Sequence, residues 1–479
     1  MTTPDIQLSR ISKLFVDRDE MNVEDALARR QSHGVTLVCG SDVASSYTLQ
    51  LAVLTAANIA TRCFPGAVRV SLHAHLAETP LLLWPVLNLT FGQALMNILG
   101  PKALTGLGSY QPGCHAVVFG NAVPPIKALR VTFDGWIAKV GPACEMERLT
   151  EREYCSVSGI LAAALAMSEI FLSFADFCIE AGRRTVALSL WQPDADVRDP
   201  SALGVPAEFL PGDLWVLGLG HLGNAYLWAL ATLPYANPRS MELFLNDFDK
   251  VASENLETSL IFRTNNVGSY KTRVCSAWLE QRGFKTRIIE RRFHSDFRCH
   301  TDEPQLALCG FDSNSARRHL ATAEFTRVIE SGLGGMTSNF DTISLHSLPN
   351  PRRAVELWPD VSPEEVALEQ EHRARVARES AAYARLHGDE CGRVQLAEKA
   401  IAVPFVGAAA ASLVVAESIR LLHGGAAYTD FKMGLVAPAG GIGVTSGNYG
   451  AHDLAGLTYR DSQAPTGHGP RTNEGRPTS

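Results

Sequence analysis

Residues Leu214–Leu217 read LWVL, a short β-rich run, followed by GLGHLG at 218–223 and by the helix-like NAYLWALATL at 224–233. This order places Gly218, Gly220 and Gly223 between a strand and a helix, where backbone N–H groups and a helix N-terminus can receive phosphate oxygens. Residues 241–245 (MELFL) give the next strand and complete a βαβ unit. That strand runs into Asn246, Asp247, Phe248 and Asp249. A dinucleotide site of this pattern uses one acidic residue at the strand end, and here there are two.

Working outward, the same order occurs earlier in the chain. Residues 35–39 (VTLVC) are followed by GSDVASS, the apolar-periodic YTLQLAVLTAANIA and a second strand at 68–72. A strand-like run at 116–119 has its counterpart at Leu306–Cys309. Two Gly-Ala-rich helical segments follow, and each sets a Gly ten residues before a Glu: Gly159 with Glu169, and Gly407 with Glu417. Self-similarity on this scale means duplication of a whole α/β domain and excludes a solenoid, whose repeats are much shorter.

The expected fold class is α/β, with two Rossmann-like modules in tandem, each a doubly wound sheet. The first module takes residues 1–190 and is degenerate, since GSDVAS keeps one of the three glycines. A Pro- and Asp-rich linker takes 191–212, and the second module takes 213–460. The Gly218–Gly407 spacing exceeds the Gly40–Gly159 spacing, which places a partly helical insertion at 336–400, and 461–479 reads as a disordered tail.

Composition narrows the function. With 46% hydrophobic residues, 479 residues suffice for two or three domains with sizeable cores. A net charge of -7 without a long Lys/Arg run excludes the usual footprint of nucleic-acid or anionic-membrane binding. The first 20 residues do not read as a secretory signal. The two most apolar stretches, 159–177 and 403–422, each carry a Glu and are expected to be buried helices, not membrane spans. Ten cysteines without a CxxC pair suggest neither a paired-thiol zinc site nor a disulfide framework, so a reducing cytoplasm is expected.

From Asp247 onward the chain resembles the ubiquitin-activating enzymes and sulfur-carrier adenylyltransferases. Their pattern runs Asp-x-Asp-x-Val, Ser-Asn-Leu-x-Arg-Gln, Phe-x-Phe-Arg and then a Lys. Here the matching residues are Asp247, Asp249 and Val251, then Glu254-Asn255-Leu256-Glu257-Thr258-Ser259, then Leu260-Ile261-Phe262-Arg263, then Lys271. LALCGFDSNSARRHL and VIESGLGG extend the likeness, which runs from Leu214 to Gly425.

The resemblance implies that Asp312 holds magnesium and that Lys271 and Arg263 sit near the phosphates of ATP. It implies that Asn255 hydrogen-bonds those phosphates and that Asp247, with Asp249 beside it, takes the ribose hydroxyls. It also implies a ubiquitin-like protein as substrate and a conjugating enzyme as acceptor. Thr258 and Ser259 depart from the family's Arg-Gln, and a hydroxyl cannot replace a phosphate-binding guanidinium. Arg317 and Arg318 are the nearby substitutes.

Conjugating members carry the activated C-terminus on a Cys, and Cys391, in HGDECGRV within the insertion, is the candidate. Its polar setting suits exposure, while Asp389 and Glu390 would raise its pKa. Cys39, Cys309 and Cys275 read as buried structural thiols. His221 reads as a loop filler, His319 and His423 as helix-surface residues, and Glu169 and Glu417 as structural.

The leading function is therefore adenylation followed by thioester formation. The alternatives are an adenylyltransferase without a thioester step, acting on a sulfur carrier or short peptide, and a catalytically dead scaffold for a ubiquitin-like or conjugating partner. A nicotinamide oxidoreductase leaves Asp312 and Ile329–Gly332 without a role. Two modules in one chain form a pseudo-dimer, completing the pairing that single-module relatives achieve by dimerising, and a homodimer stays open.

Overall fold

The computed structural model describes residues 9–106, 114–125, 127–360, 400–446 and 457–460, with single positions 364, 367, 368, 371 and 375. The first sheet has seven strands: β1 (Gly34–Cys39), β2 (Ala67–Leu72), β3 (Leu104–Gly106), β4 (His115–Phe119), β5 (Ala128–Asp134), β6 (Ile137–Pro142) and β7 (Val186–Ser189). Their order is β3-β2-β1-β4-β5-β6-β7. The pairs from β3 to β5 are parallel, and β5-β6-β7 are antiparallel.

A short β8 (Phe209–Pro211) follows. The second sheet then uses β9 (Leu214–Leu217), β10 (Glu242–Asn246), β11 (Lys285–Ile289), β12 (Leu306–Cys309), β13 (Arg327–Leu333), β14 (Thr342–Leu348), β15 (Ala427–Gly434) and β16 (Ala437–Ser446). Its order, β11-β10-β9-β12-β13-β14-β15-β16, repeats that of the first sheet strand for strand and adds β16. The expected pair of doubly wound modules is what the chain forms.

Two boundaries differ from expectation. Thr342–Leu348 lies in the stretch assigned to the insertion, yet it is β14, antiparallel to β13 and β15 and equivalent to β6. The extra chain of the second module therefore begins after Leu348. Its HPHP-like burial, alternating along ISLHSL, is that of a strand with one covered face. The 191–212 segment is also more than a connector, because β8 pairs antiparallel with β17 (Leu457–Tyr459).

The central strands β1 and β9 are buried along their whole length, as parallel strands covered on both faces must be. Four helices build the core between the sheets: Tyr47–Cys63, Val157–Phe174, His221–Ala231 and Pro404–Leu422. The second and fourth are long and apolar enough to cross a membrane, but they are 89% and 100% buried here.

The glycines repeated in these helices permit close helix approach. A Cβ on Gly159 would stand 2.7 Å from the Thr48 carbonyl oxygen, and one on Gly407 would stand 2.3 Å from the His221 ring. The repeated glutamates satisfy backbone N–H groups. Glu169 accepts from Gly182 at 2.9 Å and pairs with Arg184, while Glu417 accepts from Tyr428 at 3.0 Å beside Arg327 and Arg420. Their structural reading holds.

Candidate functional site

Gly218, at the end of β9, has φ +79°, which a side chain rarely adopts. Gly223 lies so close beneath it that a Cβ there would stand 1.8 Å from the Gly218 carbonyl oxygen. Gly220, at the helix N-terminus, faces open space, and a Cβ there would meet nothing within 4 Å among the described residues. The three glycines thus divide into turn, open phosphate face and close packing.

That open face belongs to a cavity of about 660 Å³ at the C-terminal ends of the parallel strands. Gly218, Gly220, Asp247, Asp249, Asn255, Lys271 and Asp312 all line it, so sequence-distant candidates converge. Buried Asp247 accepts the Leu219 N–H at 2.7 Å and the Asp249 N–H at 2.8 Å. Burial pushes its carboxyl up from the ordinary Asp value, while Lys271 acts in the opposite direction. Lys271 Nζ lies 3.9 Å from Asp247 and 2.9 Å from Asp249. The lysine is thus held by both acids at the mouth of the glycine loop. Asn255 accepts the Ala252 N–H at 2.8 Å and fixes the turn that follows.

Asp312 is exposed on the cavity rim, after β12. Among the described residues no group of three His, Cys, Asp or Glu side chains could hold a metal. Magnesium fits this donor set, because it usually takes one or two carboxylates, keeps water and draws its other oxygens from phosphates.

Arg263 is not brought into this cavity. It lines a separate one with Tyr270 and Trp278, and its guanidinium donates to the Phe262 carbonyl at 3.2 Å. The Phe262 side chain is buried, and Arg263 lies half-buried beside Arg62 and Arg282, where burial holds its pKa down. Cys391 lies outside the described residues. Cys39, Cys275 and Cys309 are buried, and burial raises each thiol, as expected of structural cysteines.

The Thr258-Ser259 departure has a structural counterpart. Both residues are interior, Thr258 being 2% exposed, and the Ser259 hydroxyl accepts from Ile261 and Phe262 N–H groups at 3.1 and 2.9 Å. A cation does reach this turn, but from the first module: Arg62 donates to the Ser259 carbonyl oxygen. Of the two nearby arginines, Arg317 lines the cavity, ion-paired with fully buried Glu330 at 2.8 Å and donating to the Phe311 carbonyl. Arg318 is drawn away to Asp360 and the Trp358 carbonyl.

Sequence reasoning missed Arg10, which lines the cavity from the N-terminal end of the first module. Its backbone N–H donates to Glu257 at 2.9 Å, and its guanidinium lies 4.0 Å from Glu254. No local motif marks it. Arg292, over the half-exposed Phe248 ring at 4.3 Å, was missed too, and the pair gives the cavity a flat aromatic wall. Two histidines differ from expectation. His319 lines the cavity, and His423 accepts the Glu208 N–H at 2.9 Å, pinning the start of β8. His221 fills the loop as expected. It is half-buried, with its ring against Gly407 and its Nε2 inaccessible, and desolvation and the Arg10 charge lower it to about 3, so it is neutral.

Fold and site together define a two-module dinucleotide-fold protein whose second module carries the glycine loop and whose first supplies a cation to it. The family model for the BilD C-terminal domain matches residues 210–425, and that for the BilD N-terminal domain matches 34–190. The bacterial E1-like protein BilD of Collimonas sp. (strain OK412) is 36% identical over 444 residues, 91% of this chain and 93% of its own length. The chain belongs to the BilD family of bacterial E1-like proteins.

Solved structures are more distant. E. coli TcdA, a tRNA N6-threonylcarbamoyladenosine dehydratase, is 15% identical over 44% of this chain and 85% of its own, with a TM-score of 0.29. E. coli MccB is 14% identical over 61% of this chain and 84% of its own, also with a TM-score of 0.29.

Proposed function

We propose that this chain activates the C-terminus of a ubiquitin-like protein by ATP-dependent adenylation, then carries it as a thioester on Cys391 for transfer to a conjugating enzyme. One observation carries the adenylation step. Lys271, Asp247, Asp249 and Asp312 of the second module meet Arg10, from the N-terminal end of the first, around an open glycine loop. Membership of an E1-like family supports the same reading.

In the proposed reaction the C-terminal carboxylate attacks the α-phosphorus of ATP. A phosphorus–oxygen bond forms, the bond to pyrophosphate breaks, and an acyl adenylate remains. An anion approaching a polyanion needs positive groups fixed in advance. Lys271, anchored by two carboxylates, and Arg10 are those groups, and Gly220 lets the backbone N–H groups come close. Asp312 would hold magnesium, which would supply further charge neutralisation on the triphosphate. The Cys391 thiolate then attacks the acyl carbon, forming the thioester and releasing AMP.

ATP–pyrophosphate exchange that depends on the ubiquitin-like partner, together with a reducible adduct on a non-reducing gel, tests both steps. Asp312→Ala loses both signals. Cys391→Ala keeps exchange and loses the adduct. Exchange absent with every ubiquitin-like protein tried would sink the reading. The second reading is an adenylyltransferase without a thioester step, acting on a sulfur carrier or short peptide. Exchange without an adduct in the unaltered chain would select it.

A further inference from the structure

The His221–Ala231 helix carries the glycine loop at one end, and its other end opens into a second cavity about 16 Å away along the helix. This cavity, of about 540 Å³, lies between the modules and is walled by Leu81, Val86, Leu233 and Phe284. Its size and apolar walls are those of a small-molecule site. Among the described residues two arginines, Arg239 and Arg282, line it, and no carboxylate does.

Arg282 is the unusual member. Its guanidinium sits in the corner of two indoles packed edge to face, 3.8 Å from the Trp278 ring centre and 4.4 Å from that of Trp84. One bond, to the Trp278 carbonyl at 2.7 Å, uses part of its donor capacity, and among the described residues its buried Nε has no hydrogen-bond partner. Burial, and next the Arg263 charge, hold its pKa down at about 9, so it remains cationic at neutral pH. A partly desolvated cation without a counter-ion is unfavourable unless something outside the fold completes it.

The wall facing it is rigidly built. Trp84 has φ +51°, strained for a bulky residue, and its indole N–H donates to the Ala231 carbonyl at 2.6 Å. The 80–90 loop is closed by a bridge between Pro80 and Thr90. Strain is thus accepted to hold an indole over Arg282.

We propose that this cavity binds an amphiphilic monocarboxylate, its carboxylate paired with Arg282 and its apolar body against Leu81, Val86, Leu233 and Phe284. A charge-assisted pair in an apolar, water-poor site is stronger than one at the surface. Nothing in the proposed adenylation uses this cavity, so the two ideas fail independently.

The test is a tryptophan-emission titration of the full chain with decanoate, decanol and decylamine, since Trp84, Trp228 and Trp278 cluster here. Decanoate is expected to saturate and to bind about tenfold more tightly than decanol, with decylamine weakest. Arg282→Met removes the preference for decanoate over decanol. Val86→Glu, at a position 46% exposed on the rim, weakens decanoate about tenfold without lowering the melting temperature. Equal binding of decanoate and decanol, a response that does not saturate, or an unchanged decanoate affinity in Val86→Glu would each overturn the proposal.

Discussion

The Asn58 side-chain amide of the first module donates to the Leu260 carbonyl oxygen of the second at 2.8 Å. Around it, Arg62 reaches Ser259, while Arg30 and the Arg10 backbone hold the two oxygens of Glu257. The turn from Glu254 to Leu260, which borders the nucleotide cavity, is therefore shaped largely by residues outside its own module. Asn58→Leu keeps the branched shape but removes the donor to the Leu260 carbonyl and the acceptor for Arg62, leaving buried polar groups unsatisfied. It is expected to cost about 1–3 kcal/mol, read as a lower urea midpoint at unchanged m-value.

The glycine loop separates two effects that are usually confounded. Gly220→Ala places a methyl group into open space, so the melting temperature should hold while nucleotide binding weakens. Gly223→Ala drives a methyl group into the Gly218 carbonyl, so the fold itself should suffer, with reduced soluble yield and an earlier thermal transition. Equal loss of stability in both variants would contradict this division.

Arg10 should behave as a working cation and not as a fold determinant. Its side chain is partly exposed, and its backbone contact with Glu257 survives truncation. Arg10→Ala is expected to lower pyrophosphate exchange about 100-fold with little change in urea midpoint. An exchange rate within about twofold of the unaltered chain would remove Arg10 from the mechanism.

Stability should fall as pH rises through the mildly acidic range. Burial holds the Glu153 carboxyl up at about 7, against 4.5 for an ordinary Glu. Between those values the folded chain binds more protons than the unfolded one, so stability is greatest below 4.5 for this group and declines until about 7. The contribution is on the order of 3 kcal/mol. Glu153→Gln should flatten this part of the profile, measured as urea midpoints across pH.

The glycine loop, the duplication and the Asp247-to-Lys271 series are legible because each is contiguous or recurs at matching places in both modules. What crosses the modules is not legible. Arg10 enters the cavity through tertiary placement alone, and Arg62 reaches Ser259 from a helix whose sequence shows only an apolar face. Arg263 was placed beside the phosphates by motif, but with Phe262 buried it lines a separate cavity. The β14 strand reads as part of an insertion because its alternating pattern lies beside charged, helix-like sequence. Only its pairing with β13 and β15 reveals the repeat.

The two long helices, Val157–Phe174 and Pro404–Leu422, pack against each other inside one chain. Because Arg10 and the glycine loop share one polypeptide, the cavity assembles by a unimolecular event. Its occupancy by the completing arginine should therefore be indifferent to dilution, and the ratio of the two modules is fixed at synthesis. No separate partner module needs to be found.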